Sequence, residues 1–241
     1  MVNERKRTNS RDYILSLIGV IFLMGVTLPT AAADVARFSN LGFSQDSRVF
    51  VFSQHGIAGD TGLPYGEIYT VDVPGNAFIR EGVRQHTYTT PISPGQDGIG
   101  AVLNLLRPIA PVMERLGIDH LRQGRIVYLA FNQTDPPQNI SFRDFRDNTQ
   151  YTISINQESR GSGREGSAAF HLDVNVRTAD GSSQHHRVGR QGFFRDGVNE
   201  YALGQVIVGP DNRSLIMVME RITHVPAGRQ IRYMVETVRL R

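Results

Sequence analysis

The stretch Tyr151-Thr-Ile-Ser-Ile-Asn156, echoed by Phe170-His-Leu-Asp-Val-Asn-Val-Arg177, alternates apolar and polar side chains without a break. Successive side chains of an extended strand point to opposite faces, so each segment predicts a strand with one face buried and one in water. Asp180-Gly181 follows the second segment and predicts a tight hairpin turn. With a two-residue turn, Asn175 lies opposite His186 and Val176 opposite His185. Further out, Arg48-Val-Phe-Val-Phe52 and Leu215-Ile-Met-Val-Met219 are continuous apolar runs, consistent with strands covered on both faces. Residues 68–71, 124–131 and 232–240 complete the obvious strands. The pattern predicts a mainly β chain, an antiparallel sandwich or barrel-like sheet, with propeller-like blades as the alternative.

A short helical insertion is expected near 97–116. Ile99, Val102, Leu103, Leu106, Ile109, Val112, Met113 and Leu116 recur at helical spacing. Asp97 suits the N-cap and Gly117 the C-terminal stop. Pro108 and Pro111 interrupt the pattern, and proline is at home only in a helix's first turn. The expectation is therefore two short helices, 97–106 and 109–116.

The first thirty-three residues carry Arg5, Lys6, Arg7 and Arg11, then an apolar run from Tyr13 to Pro29, then Ala31-Ala32-Ala33 before Asp34. That is the order of a secretory signal peptide. Ser16, Gly19 and Gly25 dilute the run, against a retained membrane anchor. The expected organisation is a signal peptide over 1–33, cleavage between Ala33 and Asp34, and one secreted β-rich domain over 34–241. The product is periplasmic or secreted, with no stable membrane span once the leader is gone.

Removing the leader takes four basic and two acidic residues from a net charge of +3, leaving 3 − 2 = +1. No basic block remains, so nucleic acid is not an expected partner. The chain has no Cys, which excludes disulfides, thiolate nucleophiles and cysteine metal sites. Its only Lys is Lys6, so Schiff-base chemistry, Ser-Lys dyads and P-loop phosphate binding have no residue to use after cleavage. The loop Ser162-Gly-Arg-Glu-Gly166 lacks that Lys too and reads as a hairpin loop.

Two stretches resemble each other. Phe43-Ser-Gln-Asp46-Ser-Arg48 precedes one apolar strand, and Val208-Gly-Pro-Asp211-Asn-Arg213 precedes another, 211 − 46 = 165 positions later. Asp suits such a turn because its carboxylate accepts neighbouring backbone N–H groups, and the Arg can face that carboxylate. The unit resembles the Ser-Pro-Asp-Gly type of blade of TolB-like and WD-type propellers. Blades recur roughly every 40–45 residues, and only two copies are visible, so paired elements of a sandwich or barrel-like sheet are favoured.

The first copy carries a more specific resemblance. Leu41-Gly-Phe-Ser-Gln-Asp-Ser-Arg-Val-Phe-Val-Phe52, then Gly56, then Gly62-Leu-Pro-Tyr-Gly-Glu-Ile68, is similar to a family of predicted secreted bacterial proteins with a domain of unknown function. The pattern there is a Phe-Ser-x-Asp-Gly-Arg turn, a strand, and a Pro-Tyr-Ala-Glu-Ile segment. Ser47 stands where the family has Gly, and Gly66 where it has Ala. The close match covers about residues 41–73. The resemblance implies export and a single domain, and carries no activity.

The residues singled out for ligand binding are His55, Asp60, Tyr65, Glu67 and Asp72, in and beside the Gly-rich loop that joins two apolar strands, where loops gather functional side chains. A second cluster, His171, Asp173, Asn175, Arg177 and His185-His186, fails as a metal site in the expected register. His171 and the partner of His186 are four residues apart, roughly 13 Å at 3.3 Å per residue, too far for ligands of one zinc ion. No metal site, cofactor or catalytic residue is expected. No Gly-x-Ser-x-Gly elbow or His-Glu-x-x-His is present. The expected function is an exported, non-catalytic binding or interaction protein for an unknown small molecule or envelope protein. The alternatives are an envelope hydrolase with an Asp, Glu, His or Ser site assembled in space, and an envelope structural domain with an exposed apolar patch.

Overall fold

The computed structural model describes residues 34–92, 96–131, 135–226 and 228–241. The leader, including Ala33 of the expected cleavage site, lies outside them. The elements in chain order are β1 (Arg37–Ser44), β2 (Val49–Ile57), β3 (Pro64–Asp72), β4 (Ala77–Phe78), β5 (Arg84–Thr87), α1 (Ile99–Arg115), β6 (Ile118–Asp119), β7 (Arg125–Leu129), β8 (Asn139–Arg143), β9 (Gln150–Arg160), β10 (Ser167–Arg177), β11 (Ser183–Gly189), β12 (Arg195–Asp196), β13 (Glu200–Val208), β14 (Ser214–Val225) and β15 (Gly228–Arg239).

These strands form three open antiparallel sheets. The first runs β4-β3-β2-β1-β6, with β5 also on β3. The second runs β11-β10-β9-β8, with β12 also on β10. The third runs β15-β14-β13-β7. None closes into a barrel among the described residues. Their cores fix the stacking. Ile153, Leu172 and Val174 of the second sheet meet Leu215, Met217 and Met219 of the third. The opposite face of the third sheet, with Ile216 and Val218, meets Phe50 and Phe52 of the first. The far face of the first sheet, with Val51 and Ile68, is covered by Val102, Ile109 and Met113 of α1. The layer order is second sheet, third sheet, first sheet, helix. The runs 49–52 and 215–219 are apolar throughout because both strands are covered on both faces. Burying a side chain of this size contributes roughly 1.5–3 kcal/mol, so these runs hold the layers together.

Both alternating segments form strands of the second sheet, β9 and β10, which pair along their full length. The register of the next hairpin differs from expectation by one residue. Asn175 lies opposite His185, and Val174 opposite His186. The loop is Ala179-Asp180-Gly181, closed by Thr178 N–H on Ser182 O at 3.0 Å and by Ser182 N–H on Asp180 Oδ1 at 2.9 Å. One extra loop residue exchanges which histidine shares the face of Asp173.

The helical insertion is one helix, not two. Pro108 and Pro111 both lie inside α1. Each removes one N–H, leaving Asn104 O and Arg107 O without their intrahelical donors. Asn104, Arg107, Pro108 and Pro111 all face solvent, so water can take those carbonyls and the apolar stripe stays continuous. Gly98 rather than Asp97 is the N-cap, although Asp97 Oδ1 still accepts the Ile99 N–H at 2.8 Å. Gly117 ends the helix in the left-handed conformation, φ 64°.

The two echoing turns adopt the same conformation. Asp46 Oδ1 accepts Arg48 N–H at 3.1 Å, and Asp211 Oδ1 accepts Arg213 N–H at 3.0 Å. Ser47 and Asn212 both sit at φ 56°, which explains why glycine suits the position in the family pattern. The second Arg does not face its Asp: Arg213 Nε donates to Leu240 O at 3.1 Å.

Candidate functional site

The five residues singled out in the sequence occupy separate environments. His55 lies on the helix-facing side of β2, buried, with Nε2 3.1 Å from Asp97 Oδ1; Asp97 also pairs with Arg37 at 2.5 Å. Tyr65 and Glu67 lie on the opposite face, toward the third sheet. Tyr65 donates its hydroxyl to Asp34 Oδ1 at 3.1 Å, beneath the Arg232 guanidinium at 4.1 Å from the ring centroid. Arg232 in turn holds both carboxylate oxygens of Asp34, at 3.0 and 2.7 Å. Burial pushes the Tyr65 phenol far above its ordinary range. Glu67 accepts from Gln54 Nε2 and from the Tyr69 hydroxyl, both at 2.7 Å. Asp60 is exposed and pairs with Arg164 at 3.0 Å. Asp72 closes the far end of β3, roughly 17 Å along the strand from Glu67 at 3.3 Å per residue. Of the five, only Tyr65 and Glu67 are neighbours on one face.

A spatial Ser-His-Asp set does exist in Ser53, His55 and Asp97. Ser53 and His55 are two apart on β2 and share the helix-facing side. Ser53 is fully buried, and neither its Oγ nor His55 Nδ1 has a hydrogen-bond partner among the described residues. A nucleophile needs its base within about 2.6–3.2 Å and a route for substrate. This set has neither.

The histidine cluster of the second sheet surrounds Asp173. Arg187 Nε donates to Asp173 Oδ1 at 2.8 Å and Asn156 Nδ2 to Oδ2 at 3.0 Å; His185 and His171 stand at 3.5 and 3.8 Å. The Arg187 hydrogen bond holds the carboxyl below its ordinary range. No group of three or more metal-type side chains among the described residues could hold a metal ion.

A cleft of about 460 Å³ opens where the edges of all three sheets converge. Strand β15 supplies Met234, Val235 and Glu236. The turn before β4 supplies Asn76 and β4 itself Phe78, while the end of β11 and strand β12 supply Gly189, Arg190 and Arg195. Local chemistry explains each placement. Asn76 takes a left-handed turn position, φ 46°, which Asn tolerates. There its side chain caps the exposed edge of β15: Oδ1 accepts Thr237 N–H at 2.8 Å and Nδ2 donates to Glu236 Oε2 at 2.5 Å. Glu236 has the strand parity of Met234 and Val238 and so points toward the second sheet. Glu236 is 5% exposed. Burial pushes its carboxyl above the ordinary range, outweighing the Asn76 bond and the nearby Arg195 and Arg190.

The mouth of the cleft is cationic and aromatic. Phe78 is 48% exposed. It ends a ladder of rings across the first sheet, Phe38 to Phe52 to Tyr69 to Phe78, with centroid spacings of 5.4, 5.0 and 5.2 Å. Arg195 and Arg190 both stack over Phe193, at 5.1 and 5.5 Å from its centroid. None of Asn76, Arg190, Arg195 and Glu236 was singled out by sequence reasoning. The available signal was Glu236 itself, the one charged residue in the run Tyr233-Met-Val-Glu-Thr-Val238.

The fold defines a mainly β protein of stacked antiparallel sheets with a cleft at their common edge. The chain belongs to the family of predicted secreted proteins designated DUF2259, whose model matches residues 51–239. That span contains every cleft residue and agrees with the exported reading of the leader. No curated protein matches the chain. No helix among the described residues is long and apolar enough to cross a membrane.

Proposed function

We propose that this secreted protein is a non-catalytic binding protein, acting in the periplasm or beyond, and that it takes a small ligand in the three-sheet cleft. The observation that carries this reading is the composition of the cleft. It offers one buried carboxyl, two guanidiniums and an exposed ring. Its lining contains no Ser, Thr, His or Tyr, and so no nucleophile–base pair. A single acid also leaves no second carboxylate for glycoside chemistry. Clefts of about 300–1,000 Å³ with a few convergent polar groups suit small-molecule binding. In this reading His55, Tyr65, Glu67 and their partners hold the layers in place, and Asp60 and Asp72 fasten loops.

The test is native mass spectrometry of the protein taken from the exported fraction, beside a Phe78→Ala variant. A copurifying small molecule lost in the variant is expected. Turnover of ester, glycoside or phosphate substrates by the purified protein would instead establish the hydrolase.

A further inference from the structure

We infer that the cleft selects a small organic anion with an apolar body, its negative group held by Arg190 and Arg195 and its body laid on Phe78. The inference rests on the cleft being the binding site. Three observations on the cleft point to this class. Neither guanidinium has a carboxylate within ion-pair distance among the described residues; their recorded partners are rings and, for Arg195, the Tyr201 hydroxyl at 3.5 Å. The one acid of the cleft lining makes its hydrogen bond elsewhere. Glu236 accepts from Asn76 Nδ2 at 2.5 Å. Asp196 has the strand parity of Ser167, opposite to Arg195, which follows the buried Ala168. The adjoining wall is apolar, with Val71, Phe78 and Met234. Guanidinium pairs with a carboxylate through planar, charge-assisted bonds and also stacks on rings, and both Arg side chains are already stacked, which limits the ordering that binding requires. A cation would face two guanidiniums at the mouth.

The experiment is calorimetric titration of the protein from the exported fraction with three probes of one shape: naphthoate, naphthylmethanol and naphthylmethylammonium. Naphthoate is expected to bind at least about tenfold more tightly than the alcohol, and the ammonium most weakly. Arg190→Gln combined with Arg195→Gln should remove the preference for naphthoate over the alcohol. Arg190→Gln alone, at an exposed position, gives the same comparison if the double variant is unfolded. Alcohol or ammonium binding as tightly as naphthoate, with Phe78→Ala weakening it, would overturn the anion inference and leave the cleft as a binding site. No binding by any probe, or binding indifferent to Phe78→Ala, would overturn both.

Discussion

Ser214 Oγ donates a hydrogen bond of 2.9 Å to the backbone carbonyl of Ser47, 167 residues away, joining the two echoing turns. Each turn is one copy of the repeated Asp-x-Arg unit, so the internal echo marks a physical contact between the first and third sheets. Ser214 is fully buried and also lies 3.0 Å from Asp211 Oδ2. Replacing it by Ala leaves the Ser47 carbonyl buried without this donor, a loss of about 1–3 kcal/mol. Urea unfolding of Ser214→Ala should show a lower midpoint with an unchanged slope; an unchanged midpoint would mean the turns do not bear on one another.

The pair Asp34–Arg232 fastens the beginning of the described chain to β15. The Asp34 side chain is 5% exposed and that of Arg232 is 19%, and Ile231 N–H donates to Asp34 O at 2.9 Å. Breaking a buried pair by removing one partner strands the other charge. Arg232→Ala is therefore expected to destabilise by roughly 3 kcal/mol, more than replacing both partners together. Thermal denaturation of the two single variants and the double gives the coupling directly, and additive effects would refute it.

Much of this architecture is readable in the chain before folding. The alternation at 151–156 and 170–177 identifies β9 and β10, and the continuous runs identify the two doubly covered strands. The site is less readable, for a physical reason. Glu236 shares its strand face with Met234 and Val238, and only the stacking of the sheets shows that an acid is buried there. Its partner Asn76 is 160 residues away. Register is similarly hidden. Asp180-Gly181 reads as a two-residue turn, yet the Asp180 carboxylate closes a three-residue loop and places His185, rather than His186, beside Asp173. The separation of His55 from Tyr65 and Glu67 follows from strand parity and becomes decisive only once both faces of the first sheet are known to be covered.

Glu220 gives the clearest dependence on pH. Burial pushes its carboxyl above the ordinary value of 4.5; Arg229 opposes the shift and Glu200 adds to it. The folded chain thus holds this proton more tightly than the unfolded chain. The contribution to stability is full below about pH 4.5 and is lost as pH rises through the raised value. Glu220→Gln, neutral throughout, should melt above the parent near neutral pH, with the gap closing toward about pH 4. A gap that is the same at both ends of the range would show that burial of this charge is not the cause.

At Gly66 the backbone of α1 packs directly on the first sheet. A Cβ there would stand 2.7 Å from the backbone carbon of Ala101 and 2.8 Å from Val102 N. Backbone cannot yield as a side-chain tip can, so Gly66→Ala should push the helix outward and cost about 1–3 kcal/mol, the usual range for overpacking. Amide hydrogen exchange should then rise across α1 and stay unchanged in β13 and β14. Exchange that does not change in α1 would contradict the close approach.

Pro108 and Pro111 work against the helix that contains them. Each removes a hydrogen bond in the interior of α1, and both face solvent, so neither has a packing role that Ala would forfeit. In an exposed helix interior Pro is less favourable than Ala by about 3 kcal/mol. Losing its restriction of the unfolded chain returns about 1 kcal/mol of that. Pro111→Ala is therefore expected to stabilise the protein by roughly 1–2 kcal/mol, and its new amide, donating to the Arg107 carbonyl, should be protected from exchange. The apolar stripe of Val102, Leu105, Ile109 and Met113 against Val51 and Ile68 holds α1 together despite both prolines. Packing thus outweighs propensity here, and a destabilised Pro111→Ala variant would show that the prolines shape the helix instead of burdening it.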